Sequence, residues 1–252
     1  MAFRLSISLA AALPLLAQTV AFDAASVKPS TTGLRGGSFG ISPGGERYRA
    51  VNTPLRLLIS EAYAVQRESI VGCPDWLDRD RFDVEATAGQ PSTIAEIRAM
   101  LRDLLATRIG LRVHGERREM QAYVLTADAP GPKIQPSIAA GFAFDQSPGK
   151  PHEVRMHAHA TPIDYFVWRL SRMLDRPVID QTGLTGAFDF DLSFMEEVPS
   201  EVVDRALAEG RPIDTRPSLF EALHHELGLK LTARKGPVDV IVIDKVSKPS
   251  EN

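Results

Sequence analysis

Leu104-Leu105-Ala106-Thr107-Arg108-Ile109-Gly110-Leu111-Arg112-Val113 reads as a helix end, a glycine stop and the start of a strand, and Leu223-His224-His225-Glu226-Leu227-Gly228-Leu229-Lys230-Leu231 repeats the same message. Gly110 and Gly228 take the position just past a helix, where the left-handed backbone favours a residue without Cβ. Both matches extend upstream. Each helix opens on a capping box, Thr93 with Glu96 and Ser218 with Glu221, in which side chain and backbone satisfy each other's free donors. Before each box lies an alternating strand, at residues 81–86 and 188–194, and before that a Thr-Pro pair, Thr53-Pro54 and Thr161-Pro162. The apolar stripes that follow are Leu55, Leu58, Ile59 and Ala62 in one case, and Ile163, Phe166, Val167, Leu170 and Leu174 in the other. Thr53 is placed to cap its helix and Pro54 to occupy the first turn, where no backbone donor is missed.

The pattern predicts an α+β fold of two tandem similar lobes, each a small mixed sheet with two helices on one face. Further strands fall at 69–71, 111–113 and 122–125, and at 178–180, 229–231 and 238–243, so that each lobe closes on a pair of strands. The boundaries follow: a leader at 1–17; an N-terminal strand, a glycine-rich loop and the first repeat at 18–129; a linker rich in Pro and Gly at 130–152; the second repeat at 153–252. A polar insertion at 196–217 interrupts the second repeat. The six glycines between Thr31 and Glu46 lead into another strand rather than a helix, so they read as a hairpin loop and not a phosphate cradle.

Composition narrows the classes. With 44% hydrophobic and 24% charged residues the chain is an ordinary globular one, and a net charge of -3 argues against a nucleic-acid footprint. The basic runs Arg112 to Arg118 and Lys230 to Lys235 read as solvated edge-strand charges. Residues 1–17 combine Arg4, an apolar run and small residues near Ala17. That is the pattern of a secretory signal peptide, too short for a bilayer span. A periplasmic or secreted location follows as an expectation. The single cysteine, Cys73, cannot form an internal bridge, so the fold must rest on its core.

Candidate chemistry is sparse. His157 and His159 share one face of a strand with His152 near, a possible start for a metal site that lacks its carboxylate. Asp180, Asp189 and Asp191 form the best acidic group, although alternation on a half-exposed strand produces the same pattern. Of the adjacent His224 and His225, one is expected to pack and the other to be solvated. Gly36-Gly37-Ser38-Phe39-Gly40 lies in a loop without a following helix, so it does not read as a nucleophile elbow. Tyr48, Tyr63, Trp76, Tyr123, Tyr165 and Trp168 are either a ligand groove between the lobes or core, with core the plainer reading. No catalytic, cofactor-binding or metal residues are assigned, and no cofactor.

Phe22-Asp23-Ala24-Ala25-Ser26-Val27-Lys28-Pro29, Gly72-Cys73-Pro74-Asp75-Trp76-Leu77, Arg81-Phe82-Asp83, Thr182-Gly183-Leu184-Thr185-Gly186-Ala187-Phe188-Asp189 and Gly236-Pro237-Val238-Asp239-Val240-Ile241-Val242-Ile243-Asp244 together resemble a family of uncharacterised exported proteins common in soil bacteria. Where that family usually shows a second glycine this chain has Cys73, which argues against a thiol role. Related domains accompany membrane-embedded sensor-type metallopeptidases, so the resemblance implies a sensor or ligand-holding part outside the membrane. More distantly, each half is similar to the short N-terminal signalling domain of secretins and TonB-dependent receptors. The expected function is an exported, non-catalytic binding or protein-interaction module of the cell envelope, with an envelope protein or peptide as partner and no integral membrane segment. The rival is a secreted hydrolase using the Asp and His residues of the second repeat.

Overall fold

The computed structural model describes residues 21–31, 36–139, 141–150, 152–196, 205, 208, 209 and 216–249. The expected leader and most of the expected insertion at 196–217 lie outside the described residues. Repeat one supplies β1 (Ala24–Pro29), β2 (Ser38–Ile41), β3 (Arg47–Pro54), α1 (Leu55–Tyr63), β4 (Ile70–Val71), α2 (Trp76–Arg79), β5 (Arg81–Thr87), α3 (Ile94–Ile109) and β6 (Arg112–Ala127). Repeat two supplies β7 (Gln135–Pro136), β8 (Ala143–Pro148), β9 (Glu153–Pro162), α4 (Ile163–Met173), β10 (Val178–Gln181), β11 (Ala187–Met195), α5 (Leu219–Leu227) and β12 (Leu229–Lys245).

The fold is α+β and two lobes can be traced in outline, but the sheets are shared differently from the expectation. Each repeat builds an antiparallel outer sheet, in the order β1-β5-β3-β2 and β7-β11-β9-β8. The mixed sheet is common to both, in the order β10-β6-β12-β4. The segments 111–113 and 122–125, read as two strands, fall in the single long β6, which starts at Arg112, and 229–231 and 238–243 in the single long β12. Gly236-Pro237 looks like a turn in sequence, yet here it continues the strand, with Pro237 opposite Glu119. The two long strands pair antiparallel from Leu229 beside Ala127 to Lys245 beside Arg112. Each half then lends its short strand to the other's long one: Ile70 of β4 lies beside Ile241 of β12, and Val178 of β10 beside Tyr123 of β6. The basic runs lie within the two long strands, on stretches flanked by a partner on one side only, since β10 meets β6 at 123–126 and β4 meets β12 at 241–242; there Arg117 pairs with Asp239 and Arg118 with Glu116.

The stretch 130–152 contributes β7 and β8, the counterparts of β1 and β2. Within the glycine-rich segment, Ser38–Ile41 is a true strand, pairing with β3. A Cβ at Gly37 would run into the Asn52 carbonyl, so the close approach of that hairpin depends on a glycine.

Both capping boxes are formed, and Gly110 and Gly228 close α3 and α5 with φ of 59° and 64°. The Thr-Pro pairs behave otherwise. Pro54 and Pro162 are the cap residues themselves, without a side-chain cap bond. Thr53 Oγ1 instead donates toward the Ser38 and Val51 carbonyls, and Thr161 Oγ1 toward those of Ala143 and His159. The cause is the residue before each threonine: Asn52 and Ala160 have φ of 50° and 44°, at an interruption of the strand register. Their backbone N–H groups donate to Asp83 Oδ1 and Asp189 Oδ1, each at 2.7 Å. This left-handed step turns each buried threonine inward, toward its hairpin.

Two cores result. One joins Tyr48, Ala50, Phe82 and Val84 of the first outer sheet to Leu55, Leu58 and Ile59 of α1 and Ile97, Leu101 and Leu105 of α3. The other joins Met156, Phe190 and Leu192 to Phe166 and Leu170 of α4 and Leu223 of α5. Among the described residues no helix is long and apolar enough to cross a membrane.

Ala160 holds a conformation that costs an L-residue about 1 kcal/mol relative to glycine. Ala160→Gly is expected to raise unfolding stability by about 0.5–1 kcal/mol in urea denaturation, because the relief of strain exceeds glycine's entropic cost at such a site. A lower midpoint would contradict the left-handed geometry.

Candidate functional site

The lobes meet where α1 and α3 of repeat one face α4 of repeat two, and this joint is polar in an unusual way. Glu61, on α1, is 1% exposed, and Arg98, on α3, is 5% exposed. Charges are seldom so enclosed unless paired. Tyr48 Oη donates to Glu61 Oε2 at 2.6 Å, leaving Glu61 Oε1 buried with no hydrogen-bond partner. Arg98 Nη1 donates to Asp164 Oδ2 at 2.9 Å, leaving Nε and Nη2 in the same position.

Aromatic rings frame these charges. The Arg98 guanidinium lies 5.5 Å from the Tyr165 ring centre and 5.4 Å from that of Trp168, within cation–π range. Arg172 lies 5.1 Å from Trp168 and 4.5 Å from Phe39 of β2. Arg169 lies 5.1 Å from Phe144 of β8 and donates from Nη2 to Gln146 Oε1 at 2.6 Å, while its Nε is buried and unpartnered. Trp168, only 2% exposed, has an unpartnered indole N–H. Ile94, Ile41 and Phe142 complete the apolar lining.

The electrostatics follow from this crowding. Burial pushes the Glu61 carboxyl above its ordinary range, against the Tyr48 hydrogen bond and the three arginines. Burial, seconded by the like charge of Arg169, brings Arg172 down to about 10, still protonated near neutrality. Gln66, just beyond α1, ties the joint together by donating from Nε2 to the Ser171 and Leu174 carbonyls at the end of α4.

Three members of the aromatic set named from sequence, Tyr48, Tyr165 and Trp168, thus converge at the joint. Tyr63 sits with Arg102, Trp76 with Lys248, and Tyr123 with Phe220 and Arg176, all elsewhere. Glu61, Arg98, Arg169 and Arg172 were not picked out by the sequence reading. The available signal was a charge on an apolar face: Arg98 follows Ile94 by one turn and precedes Leu101, and Glu61 stands between Leu58 and Ala62.

The histidine and aspartate candidates are arranged differently. His157 Nδ1 lies 2.7 Å from Asp191 Oδ1 and His159 Nδ1 lies 3.2 Å from Asp189 Oδ1, as neighbouring pairs on the solvated face of β9 and β11. Asp180 is on β10 in the shared sheet, where it accepts from the Thr182 backbone and hydroxyl. His224 and His225 are both exposed, and His224 pairs with Asp128 at 2.8 Å, so neither packs as expected. Among the described residues no three His, Cys, Asp or Glu side chains gather as a metal site. Cys73 is half-buried and its thiol is pushed up by burial, the opposite of activation.

Fold and joint together define a duplicated α+β protein whose halves exchange strands and enclose a charged cluster between them. The chain belongs to a family described as a protein of unknown function (DUF3738), whose model matches residues 56–246, well over half of its length. No curated protein and no solved structure matches it.

An acid held above its ordinary value of 4.5 binds more protons folded than unfolded. Its stabilising contribution is therefore complete at low pH and lost as pH rises through the raised value. Glu61→Gln is expected to flatten the fall in thermal stability of the native protein as pH rises above the ordinary carboxyl value of 4.5. Parallel profiles for the two proteins would show that Glu61 titrates normally.

Proposed function

We propose that this chain is an exported, non-catalytic binding module of the cell envelope, with its ligand held at the joint between the two lobes. The observation that carries the reading is the pair of enclosed charges, Glu61 and Arg98, each with polar atoms left unpartnered. Buried polar groups without partners cost about 1–3 kcal/mol each, and a native fold keeps several in one place where something else completes them. Export is supported by the signal-like residues 1–17, and a soil-bacterial origin by the resemblance of the chain's turn motifs to exported proteins from such organisms. The pattern likeness to secretin and TonB-receptor signalling domains fits a module that docks to a partner. The outer sheets end in β1, β2, β7 and β8, edge strands of the kind to which a peptide strand adds.

The rival reading, a secreted hydrolase, draws on the His157–Asp191 and His159–Asp189 pairs. Their exposure weakens it, since general acid–base work gains from a site that excludes water.

Mature protein melted with and without the small-molecule fraction of a bacterial periplasm should gain several degrees in Tm from ligand linkage. The same preparation should turn over neither ester nor glycoside substrates. Hydrolysis that is lost in His157→Ala or Asp191→Asn would establish the rival instead.

A further inference from the structure

We infer that the joint takes a small organic carboxylate bearing a hydroxyl or ammonium donor next to the acid, gripped by Arg98, Arg169 and Arg172 and steered by Glu61. The inference rests on the reading of the joint as the binding site and specifies the chemistry of what enters it. Charge is the first argument. Three guanidinium groups face two carboxylates, Glu61 and Asp164, so the cluster carries one uncompensated positive charge even with both acids ionised. A single carboxylate restores balance.

Hydrogen-bonding capacity is the second. Four donors are buried without a partner, on Arg98 Nε, Arg98 Nη2, Arg169 Nε and Trp168 Nε1. Arg172 makes ring contacts with Phe39 and Trp168 but no side-chain hydrogen bond or ion pair among the described residues. Planar guanidinium forks match the two oxygens of a carboxylate, which accepts without donating. Beside these donors an acceptor, Glu61 Oε1, is also left over and calls for a donor on the same ligand; a second, Gln66 Oε1, belongs to the side chain that bonds the end of α4. An α-hydroxy or α-amino acid supplies both in adjacent positions.

Access is the third. Arg98 and Glu61 are enclosed, whereas Arg169 and Arg172 are only partly buried, beside the ring faces of Phe144 and Phe39 on the edge strands β8 and β2. The cluster therefore meets solvent at its most cationic end, where an approaching anion is attracted.

The test is calorimetric titration of the full mature protein with acetate, glycolate, glycine, lactate and mandelate at constant ionic strength, with chloride and inorganic phosphate as controls. Saturable binding is expected for at least one hydroxy or amino acid, tighter than acetate by at least about twofold, because one further hydrogen bond is worth roughly 0.5–1.5 kcal/mol. Arg172→Gln should weaken that binding about tenfold or more, as loss of a charge-assisted hydrogen bond does, without moving the urea midpoint appreciably. Trp168→Phe, which keeps a ring but removes the N–H, should weaken it less.

Absence of binding by every carboxylate, equal binding of phosphate, or an unaltered affinity in Arg172→Gln would each overturn the inference. If periplasmic extract raises the Tm while the carboxylates fail, the binding-module reading stands and this ligand class falls. If both fail, both fall.

Discussion

The antiparallel pairing of β6 with β12 is the constraint on which the rest of the molecule depends. It is the longest strand pair in the structure, and each of its members begins within two residues of the glycine that closes a helix. Two helices, α3 and α5, are thereby pointed into one sheet from opposite ends. The parallel additions of β4 to β12 and β10 to β6 tie the sequence between each repeat's two main helices to the other repeat's final strand. Neither half can complete the mixed sheet alone. Separation of the lobes would expose strand edges on four segments at once, which is why the joint above the sheet is held at one geometry.

That rigidity explains how the joint can tolerate its own chemistry. A buried carboxylate and a buried guanidinium are costly to desolvate, and their mutual attraction returns that cost only where geometry is fixed and the remaining atoms are satisfied. Here the geometry is fixed by elements from both repeats: Tyr48 comes from β3, Glu61 from α1, Arg98 from α3, and the aromatic and cationic side chains of residues 164 to 172 from α4. Phe39 and Phe144 occupy corresponding places on β2 and β8, one against Arg172 and the other against Arg169. The two halves repeat the frame in outline, while the side chains between them differ. Where α1 presents Glu61, α4 presents arginines. A repeated scaffold with an asymmetric lining is how a duplicated fold acquires one site rather than two.

Much of the frame was legible in the chain because it is written locally. A capping box needs two residues three apart, a helix stop needs one glycine, and both sets were read correctly at Thr93, Glu96, Gly110, Ser218, Glu221 and Gly228. The strand pairing was not legible, because pairing joins residues such as Ile70 and Ile241 that no local pattern relates. Gly236-Pro237 fell in the gap between the strands read at 229–231 and 238–243, and only the long ladder on either side holds it extended. Thr53 misled through its neighbour, since a threonine before Pro reads as a cap until Asn52 turns left-handed and swings it inward.

The joint shows the same division between local and distant information. Tyr165 and Trp168 could be named as residues of interest because aromatic rings stand out in any sequence, and the choice between groove and core was open. The structure buries both in a core cluster and sets each beside the Arg98 guanidinium. What the chain concealed was the charge itself. An arginine or glutamate on a helix is usually solvated, so Arg98 and Glu61 looked ordinary until the opposite lobe covered them. Their burial is a property of the assembled pair of repeats, and a duplicated sequence read one repeat at a time hides what forms between its copies.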